Sequence, residues 1–277
     1  MALNIQNVHI LTKSAHERAY SLGLGIQEWL RERSIASMVY PNAEYSPDLT
    51  AARPDLILVL GGDGTMLSIA HQLTDFSVPL LGFNLGRVGF LTELGMDDWQ
   101  EGLSKVLADE CTCSTRILLA YTLVRSGQEP VSGLIVNDLV VSRSGMARLV
   151  GMRLAYAGEE LADFRADGLI VATPMGSTAY AVAAGGPLIS PELEVMEICP
   201  ICPFLSRMKP MVVPSSGEAT IHIDHPTQET FLTLDGQTGM PLQEGDVISI
   251  TQAREQLRFV IPSQNSFVCK LKRKGYM

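Results

Sequence analysis

No Lys/Arg-rich run occurs before the short tail Lys270-Leu-Lys-Arg-Lys274, and the formal net charge is −9. That balance argues against a surface built to track nucleic-acid phosphates. No apolar run approaches the roughly 18 residues that a membrane-spanning helix needs. The start of the chain, Asn7-Val-His-Ile-Leu11 followed by Lys13, has neither the apolar core nor the small-residue cleavage site of a signal peptide. Cysteine is scarce and odd in number: positions 111, 113, 199, 202 and 269 form no even set for a disulfide framework. Reduced thiols in a cytoplasmic protein are therefore expected. Internal repeats, heptads and low-complexity stretches are also lacking. What remains is a chain of 277 residues, 46% hydrophobic and 18% charged, with 24 Gly and 15 Pro. This is the composition of a turn-rich globular protein, long enough for one large domain or two modest ones.

Apolar periodicity changes along the chain. Up to about residue 110 strands alternate with helices: strands near 8–11, 35–40, 56–60 and 78–83, and helices near 15–33, 65–73 and 97–108. Alternation of this kind means βαβ units around a parallel, Rossmann-like sheet. From about Cys111 short β-branched runs take over, at 117–125, 134–142, 148–157, 160–166, 169–172, 220–223, 231–234, 247–251 and 256–261. Turn residues such as Gly127, Gly158, Asp235-Gly236 and Glu244-Gly245-Asp246 punctuate them, as in an antiparallel β-sandwich. The expected organisation is an α/β domain over 1–115 and an all-β domain over 116–277. The last ~25 residues are set apart as a segment free to return to the first domain.

Two glycine-rich corners carry the chemistry. The apolar run Asp55-Leu-Ile-Leu-Val-Leu60 stops at Gly61-Gly62-Asp63-Gly64-Thr65, ahead of a helical stretch. Glycines there permit positive φ and close ligand approach, and the helix start offers unpaired N–H groups to phosphate. Asp63 either caps that helix or accepts a hydrogen bond, and later a proton, from a ribose hydroxyl. The second corner closes the strand Asp167-Gly-Leu-Ile-Val-Ala-Thr-Pro174 and opens a helix at Met175-Gly-Ser-Thr-Ala-Tyr180. Ser177 or Thr178 can cap it, and Tyr180 offers a ring and a hydroxyl; taken alone, the segment is as much structural as functional. Asn137-Asp138 interrupts the β run 134–141 with an amide and a carboxylate, one of which faces solvent in a regular strand. Two better-known fingerprints are missing: there is no G-x-x-x-x-G-K-[ST], and Gly62-Asp63-Gly64 lacks the third glycine of a dinucleotide loop.

Cys111-x-Cys113 and Cys199-x-x-Cys202 have a zinc-ligand look. Pro200, Ile198 and Ile201 favour instead a buried strand in which cysteine serves as a small hydrophobe. The five histidines (9, 16, 71, 222, 225) are scattered and expected at the surface.

Taken in order, GGDGT at 61–65, Asn137-Asp138 and Asp167–Tyr180 resemble the ATP-NAD kinase family. The likeness extends to Gly86-Arg-Val-Gly89-Phe-Leu-Thr92, Ala184-Gly-Gly-Pro187, Cys199-Pro-Ile-Cys-Pro203 and Asp235-Gly-Gln237. The resemblance implies a kinase that moves the γ-phosphoryl group of ATP to the 2′-hydroxyl of the NAD adenosine ribose. It makes Asp63 the proton acceptor with Gly64 beside it, and Asn137 and Asp138 the pair that holds the adenosine, Asp replacing the commoner Glu. Arg148, Arg165 and Asp167 match dinucleotide contacts, often made across a subunit boundary of a homo-oligomer, dimer or tetramer. Thr178, Ala179, Tyr180, Ala181, Val182 and Ala183 match the binder of the nicotinamide half, and Gln237 a further contact. The basic Arg165 tilts the expectation toward NAD⁺ over NADH. An acidic protein cannot neutralise a triphosphate, so Mg²⁺ or Mn²⁺ arriving with ATP is expected, with no dedicated metal cage. Three positions depart from the family pattern: Met175 for Thr or Ser, Phe204 for the His that often follows Cys-Pro, and Leu85 beside Asn84. A lipid kinase would share GGDGT but not the 167–180 segment, and a non-catalytic dinucleotide sensor would not need Asp63.

Overall fold

The structure, a computed structural model, describes residues 4–41, 53–86, 89–143, 149–226, 230–262 and 267–277. The chain divides into two compact units, Met1–Arg116 with Gln256–Met277, and Ile117–Glu255.

In the first unit β1 (Asn7–Thr12), β2 (Ala36–Pro41), β3 (Leu56–Leu60), β4 (Leu80–Asn84) and β5 (Leu94–Gly95) are parallel, in the spatial order β2-β1-β3-β4-β5. Parallel neighbours need crossovers, supplied by α1 (Glu17–Arg31), α2 (Asp63–Gln72) and α3 (Trp99–Leu107). All five residues of β3 are buried, as in a strand covered on both faces. Along α1 the buried Ala19, Ile26 and Leu30 recur at helical spacing and join Ile10, Leu58, Leu60 and Phe83 in the core. The Nδ1 of His16 caps this helix, accepting the Ala19 N–H at 3.2 Å. His9 departs from its expected surface position: it lies on the central β1, buried, with its ring edge-on to Tyr40 at 5.4 Å. The chain leaves β1 toward one side of the sheet and β3 toward the other. Their carboxyl ends form a switch point, where open α/β sheets leave a crevice for ligands.

The second unit is antiparallel and built from two layers. Its strands are β6 (Thr112–Val124), β7 (Val131–Ile135), β8 (Asp138–Arg143), β9 (Val150–Tyr156), β10 (Glu159–Ala166) and β11 (Gly168–Ala172). After a short helix α4 (Tyr180–Ala183) follow β12 (Val195–Ile201), β13 (Met211–Pro214), β14 (Ala219–His225), β15 (Thr230–Leu234), β16 (Thr238–Pro241) and β17 (Val247–Ile261). One sheet runs β13-β12-β11-β8-β15-β16, and opposite it stand β10-β9-β14-β17. Leu139, Leu169 and Ile198 from the first layer and Leu154, Ile221 and Ile250 from the second share one core. The strict alternation of burial along β14 is the mark of such a sandwich. β17 ends in the first unit, which also contains the C-terminal helix α5 (Phe267–Arg273). Among the described residues no helix is long and apolar enough to cross a membrane.

β5, β13, β16 and α5 fall where the sequence marks no element, and two expected runs differ in extent. The run 134–142 is not one strand: it breaks at Val136-Asn137, so that Asn137 sits in a bend and Asp138 begins β8. The runs 247–251 and 256–261 are one strand, which continues through the exposed Arg254 and Glu255; Gln252 is partly covered, its Oε1 accepting from Ser215 Oγ at 2.6 Å.

One residue works against the fold. Glu197, in the middle of β12, is 0% exposed, and neither carboxyl oxygen has a hydrogen-bond partner. Burial raises its carboxyl to about 7. The folded state therefore favours the protonated form, and stability that is intact below the ordinary carboxyl range is lost as pH rises through 7. Urea unfolding of Glu197→Gln should show a growing advantage over the parent from about pH 5 to about pH 8, reaching on the order of 1–3 kcal/mol. Parallel pH profiles for the two proteins would contradict this.

Candidate active site

The first constellation belongs to the parallel-sheet unit. Helix α2 starts directly after β3, with Gly62 at the N-cap and no side-chain cap. Asp63 is thus the first helical residue and not the cap. Its carboxylate reaches the 89–92 loop instead, accepting the Phe90 N–H on Oδ2 at 2.8 Å and the Leu91 N–H on Oδ1 at 3.0 Å. Gly89 makes this approach possible, since a Cβ there would stand 2.0 Å from Asp63 Oδ1. Thr92 Oγ1 completes the loop by accepting the Gly89 N–H at 3.2 Å. A carboxylate has about four lone-pair sites, so two amides fix its orientation and leave acceptor capacity over.

The GGDGT glycines act differently from the expectation: none of the three has positive φ. Gly61 is required by crowding, because a Cβ would lie 2.3 Å from Thr65 Oγ1, while Gly62 and Gly64 face open space. Gly64 is exposed beside the partly buried Asp63. The corner therefore presents an oriented carboxylate with unobstructed backbone on either side.

The second constellation belongs to the β unit. Asp235 opens the hairpin turn between β15 and β16, with Asp235 and Gly236 both left-handed (φ 51° and 64°). Its carboxylate accepts the N–H groups of Val136 (2.9 Å), Asn137 (2.6 Å) and Asp138 (2.9 Å), and its own N–H donates to the Asp138 carbonyl at 2.8 Å. The break in the strand is thus held by a turn almost 100 residues later in the chain, |i−j| being 97 to 99. The Asn137 side chain is left with a buried Oδ1 that has no partner. Asp138 is buried, and its carboxyl is pushed up to about 6 by burial first and by the neighbouring Asp235 second, a Tyr180 backbone N–H opposing both.

That hydrogen bond brings the second glycine corner onto the pair. Thr173 Oγ1 donates to the Val136 carbonyl at 2.7 Å, and the Thr173 N–H donates to the Asn137 carbonyl at 2.8 Å. Gly176 packs on the same carbonyl, where a Cβ would come within 2.1 Å. A 3₁₀ turn at Gly176–Thr178 precedes α4, which has no side-chain cap. Neither hydroxyl caps α4 as expected. Ser177 donates to the Pro174 carbonyl and accepts the Ile189 N–H, and Thr178 donates to the Met175 carbonyl. Thr178, Val182 and Ala183 are at least partly accessible, Ala179 and Tyr180 are exposed, and Ala181 and Met175 are buried. Gln237 is exposed at the end of the Asp235 turn.

Arg165 is exposed near the end of β10, its carbonyl accepting the Phe204 N–H at 2.8 Å. Asp167 pairs with Arg143, Nε to Oδ1 at 2.6 Å, a partner that the sequence did not single out. Arg148 lies outside the described residues. Cys199 is buried with its sulfur near the Ala181 and Ala184 carbonyls, whereas Cys202 is exposed. Among the described residues no three His, Cys, Asp or Glu side chains converge as metal ligands.

A Rossmann-like sheet with a glycine-flanked aspartate at its switch point, joined in one chain to an antiparallel sandwich with a polar cradle, defines a two-domain, nucleotide-directed phosphotransferase. The ATP-NAD kinase N-terminal domain matches residues 42–111 and the ATP-NAD kinase C-terminal domain residues 136–261. The chain is 41% identical to an NAD kinase of Oleidesulfovibrio alaskensis, covering 100% of this chain and 95% of that one. It is 40% identical to an NAD kinase of Nitratidesulfovibrio vulgaris strain Miyazaki F, over 99% and 97% of the two chains. Among solved structures it resembles yeast NADH kinase complexed with NADH, with a TM-score of 0.84 and 26% identity over 97% of this chain and 86% of that one. An NAD kinase from Archaeoglobus fulgidus in complex with ATP gives a TM-score of 0.77 and 26% identity over 96% and 99%. The chain belongs to the ATP-NAD kinase family.

Asp235 is the residue that the sequence undervalued, since only its turn was legible. Asp235→Ala strips three backbone N–H groups of their acceptor, and thermal or urea unfolding should register a loss of about 2–4 kcal/mol. An unchanged unfolding midpoint would show that the bend at Asn137 does not depend on this carboxylate.

Proposed function

We infer that this chain performs its family's reaction, phosphorylation of NAD by ATP, with the two constellations dividing the work. The 2′-hydroxyl oxygen of the adenosine ribose attacks the γ-phosphorus of ATP, and the bond to the ADP oxygen breaks with its electron pair. Asp63 takes the hydroxyl proton. The observation that carries this assignment is the two-point attachment of the Asp63 carboxylate to the Phe90 and Leu91 amides, which orients a base without occupying it. Gly64 leaves the approach to it open. Phosphoryl transfer has a loose transition state, so positioning and charge neutralisation outweigh deep proton abstraction.

Asn137 and Asp138 hold the adenosine: the orphaned Asn137 Oδ1 suits an exocyclic amine donor, and the Asp138 carboxyl, at about 6, remains mainly ionised at neutral pH and accepts hydroxyl or amine donors. The 178–183 segment, accessible except at Ala181, receives the nicotinamide half, with Gln237, Arg148, Arg165 and Asp167 as further dinucleotide contacts. The buried Met175 contributes its backbone carbonyl to Thr178 rather than a hydroxyl to a ligand. Mg²⁺ or Mn²⁺ arriving with ATP would neutralise phosphate charge that a chain of net charge −9 cannot meet alone. Assembly into a homo-oligomer is supported by Phe204 and Leu205, 59% and 91% exposed beside the Arg165 backbone. The reduced thiols and the reaction's role in setting the NAD/NADP balance fit the cytoplasm.

Asp63→Asn should retain folding and NAD binding while NADP formation falls by at least ~10²-fold, the scale of general-base catalysis. Turnover within a few-fold of the parent would remove Asp63 from this role.

A further inference from the structure

The C-terminal helix grips the loop that holds Asp63. The Lys270 ammonium, on α5, donates to the Phe90 carbonyl at 2.9 Å and to Glu93 Oε1 at 2.5 Å. Both side chains of that ion pair are nearly buried, 9% and 6% exposed. The Phe90 ring meets Phe267 at 6.4 Å and Tyr276 at 6.1 Å, and the Lys274 ammonium stands 5.3 Å from its centre. Four residues of the C-terminal segment thus hold a single loop residue by both backbone and ring.

The peptide group that joins Phe90 to Leu91 is engaged at both ends. Its carbonyl accepts from Lys270 while its N–H donates to Asp63 Oδ1. Hydrogen bonds in series polarise one another, so a cation on the carbonyl strengthens the N–H as a donor and tightens its hold on the carboxylate. Glu93 keeps the ammonium in place, and Arg116, a further cation acting on Glu93, helps to keep that carboxylate charged against its burial.

We propose that Lys270 is a positioning residue for phosphoryl transfer, fixing the reactive orientation of Asp63 through the Phe90–Leu91 peptide. The proposal rests on the assignment of Asp63 as proton acceptor. An ion pair that only anchored α5 would affect stability without acting on the chemical step. A misplacement of about 1 Å at a reacting group can cost on the order of 10²-fold in rate, so a loosened carboxylate is measurable.

The test is Lys270→Met combined with Glu93→Gln, which removes both charges of the ion pair together, made in the parent and in the Asp63→Asn background. Melting curves and NAD binding qualify each protein. In the parent background kcat should fall by about 10-fold or more while KM for NAD and for MgATP stays within about twofold. In the Asp63→Asn background no further loss of kcat is expected. Unchanged kcat, a rise in KM alone, or an equal loss in both backgrounds would overturn the proposal while leaving Asp63 as the base. Near-normal turnover of Asp63→Asn by itself would overturn both. Should the double variant not fold, Lys270→Gln alone, which keeps a neutral donor for Glu93 but takes the cation off the Phe90 carbonyl, is read in the same way: a smaller fall in kcat supports the clamp, and parental kcat overturns it.

Discussion

The Asp63 carboxylate is held by two backbone N–H groups, and much of the first unit is arranged to permit this. Amide donors from a loop fix a carboxylate more firmly than a flexible side chain would, because their directions are set by the backbone. The geometry requires the tight approach at Gly89, the crowded Gly61 that lets α2 begin immediately after β3, and an anchored 89–93 loop. Placing the carboxylate at the carboxyl edge of the parallel sheet makes it accessible where α/β proteins bind nucleotides. The same device recurs in the β unit, where the Asp235 carboxylate binds three consecutive amides and shapes the bend that presents Asn137 and Asp138. In both places an aspartate organises a loop; Gly61, Gly89 and Gly176 matter for the space they leave, whereas Gly236 serves the left-handed turn beside Asp235.

These two arrangements suit a reaction with little covalent work for the protein. In the proposed reaction, orientation of the attacking hydroxyl and of the Asp63 carboxylate would supply what a loose transition state needs, and a metal carried by the triphosphate would meet its charge. The acidic balance of the chain agrees with that division. The polar cradle of the β unit carries unsatisfied capacity that a folded interior ordinarily lacks: an orphaned amide oxygen at Asn137 and a carboxyl at Asp138 destabilised by burial and by Asp235. Unmet polar capacity in a buried place costs folding free energy and is recovered when a ligand supplies the missing donors. Glu197 has a similar cost on β12, and nothing in the structure explains what offsets it.

Sequence periodicity recovered elements whose stabilising contacts are local or repeat along the chain. The five-residue β3 was legible to the residue because burial on both faces leaves a continuous apolar run. Helices α1, α2 and α3 were legible to within a few residues from their apolar spacing. The break at Asn137 was not, because local propensity across 134–142 favours one strand and the force that breaks it comes from Asp235 far along the chain. The long β17 reads as two runs in the sequence because its middle, through the exposed Arg254 and Glu255, is polar, while the strand itself continues. Ser177 and Thr178 have the chemistry of helix caps, yet their hydroxyls serve backbone groups of Pro174, Met175 and Ile189. In the candidate site, residue identities came from motif order, whereas the pairing of Asp167 with Arg143 and of Lys270 with Glu93 joined positions that no motif connects.

Formation of NADP by the intact protein tests the account most directly. Purified protein incubated with NAD, Mg²⁺ and ATP, and read with an NADP-specific dehydrogenase alongside ADP release, should yield NADP and ADP in equal amounts. ADP release without NADP, or no product from either substrate, would contradict phosphorylation of the 2′-hydroxyl and with it the roles of Asp63, Asn137 and Asp138.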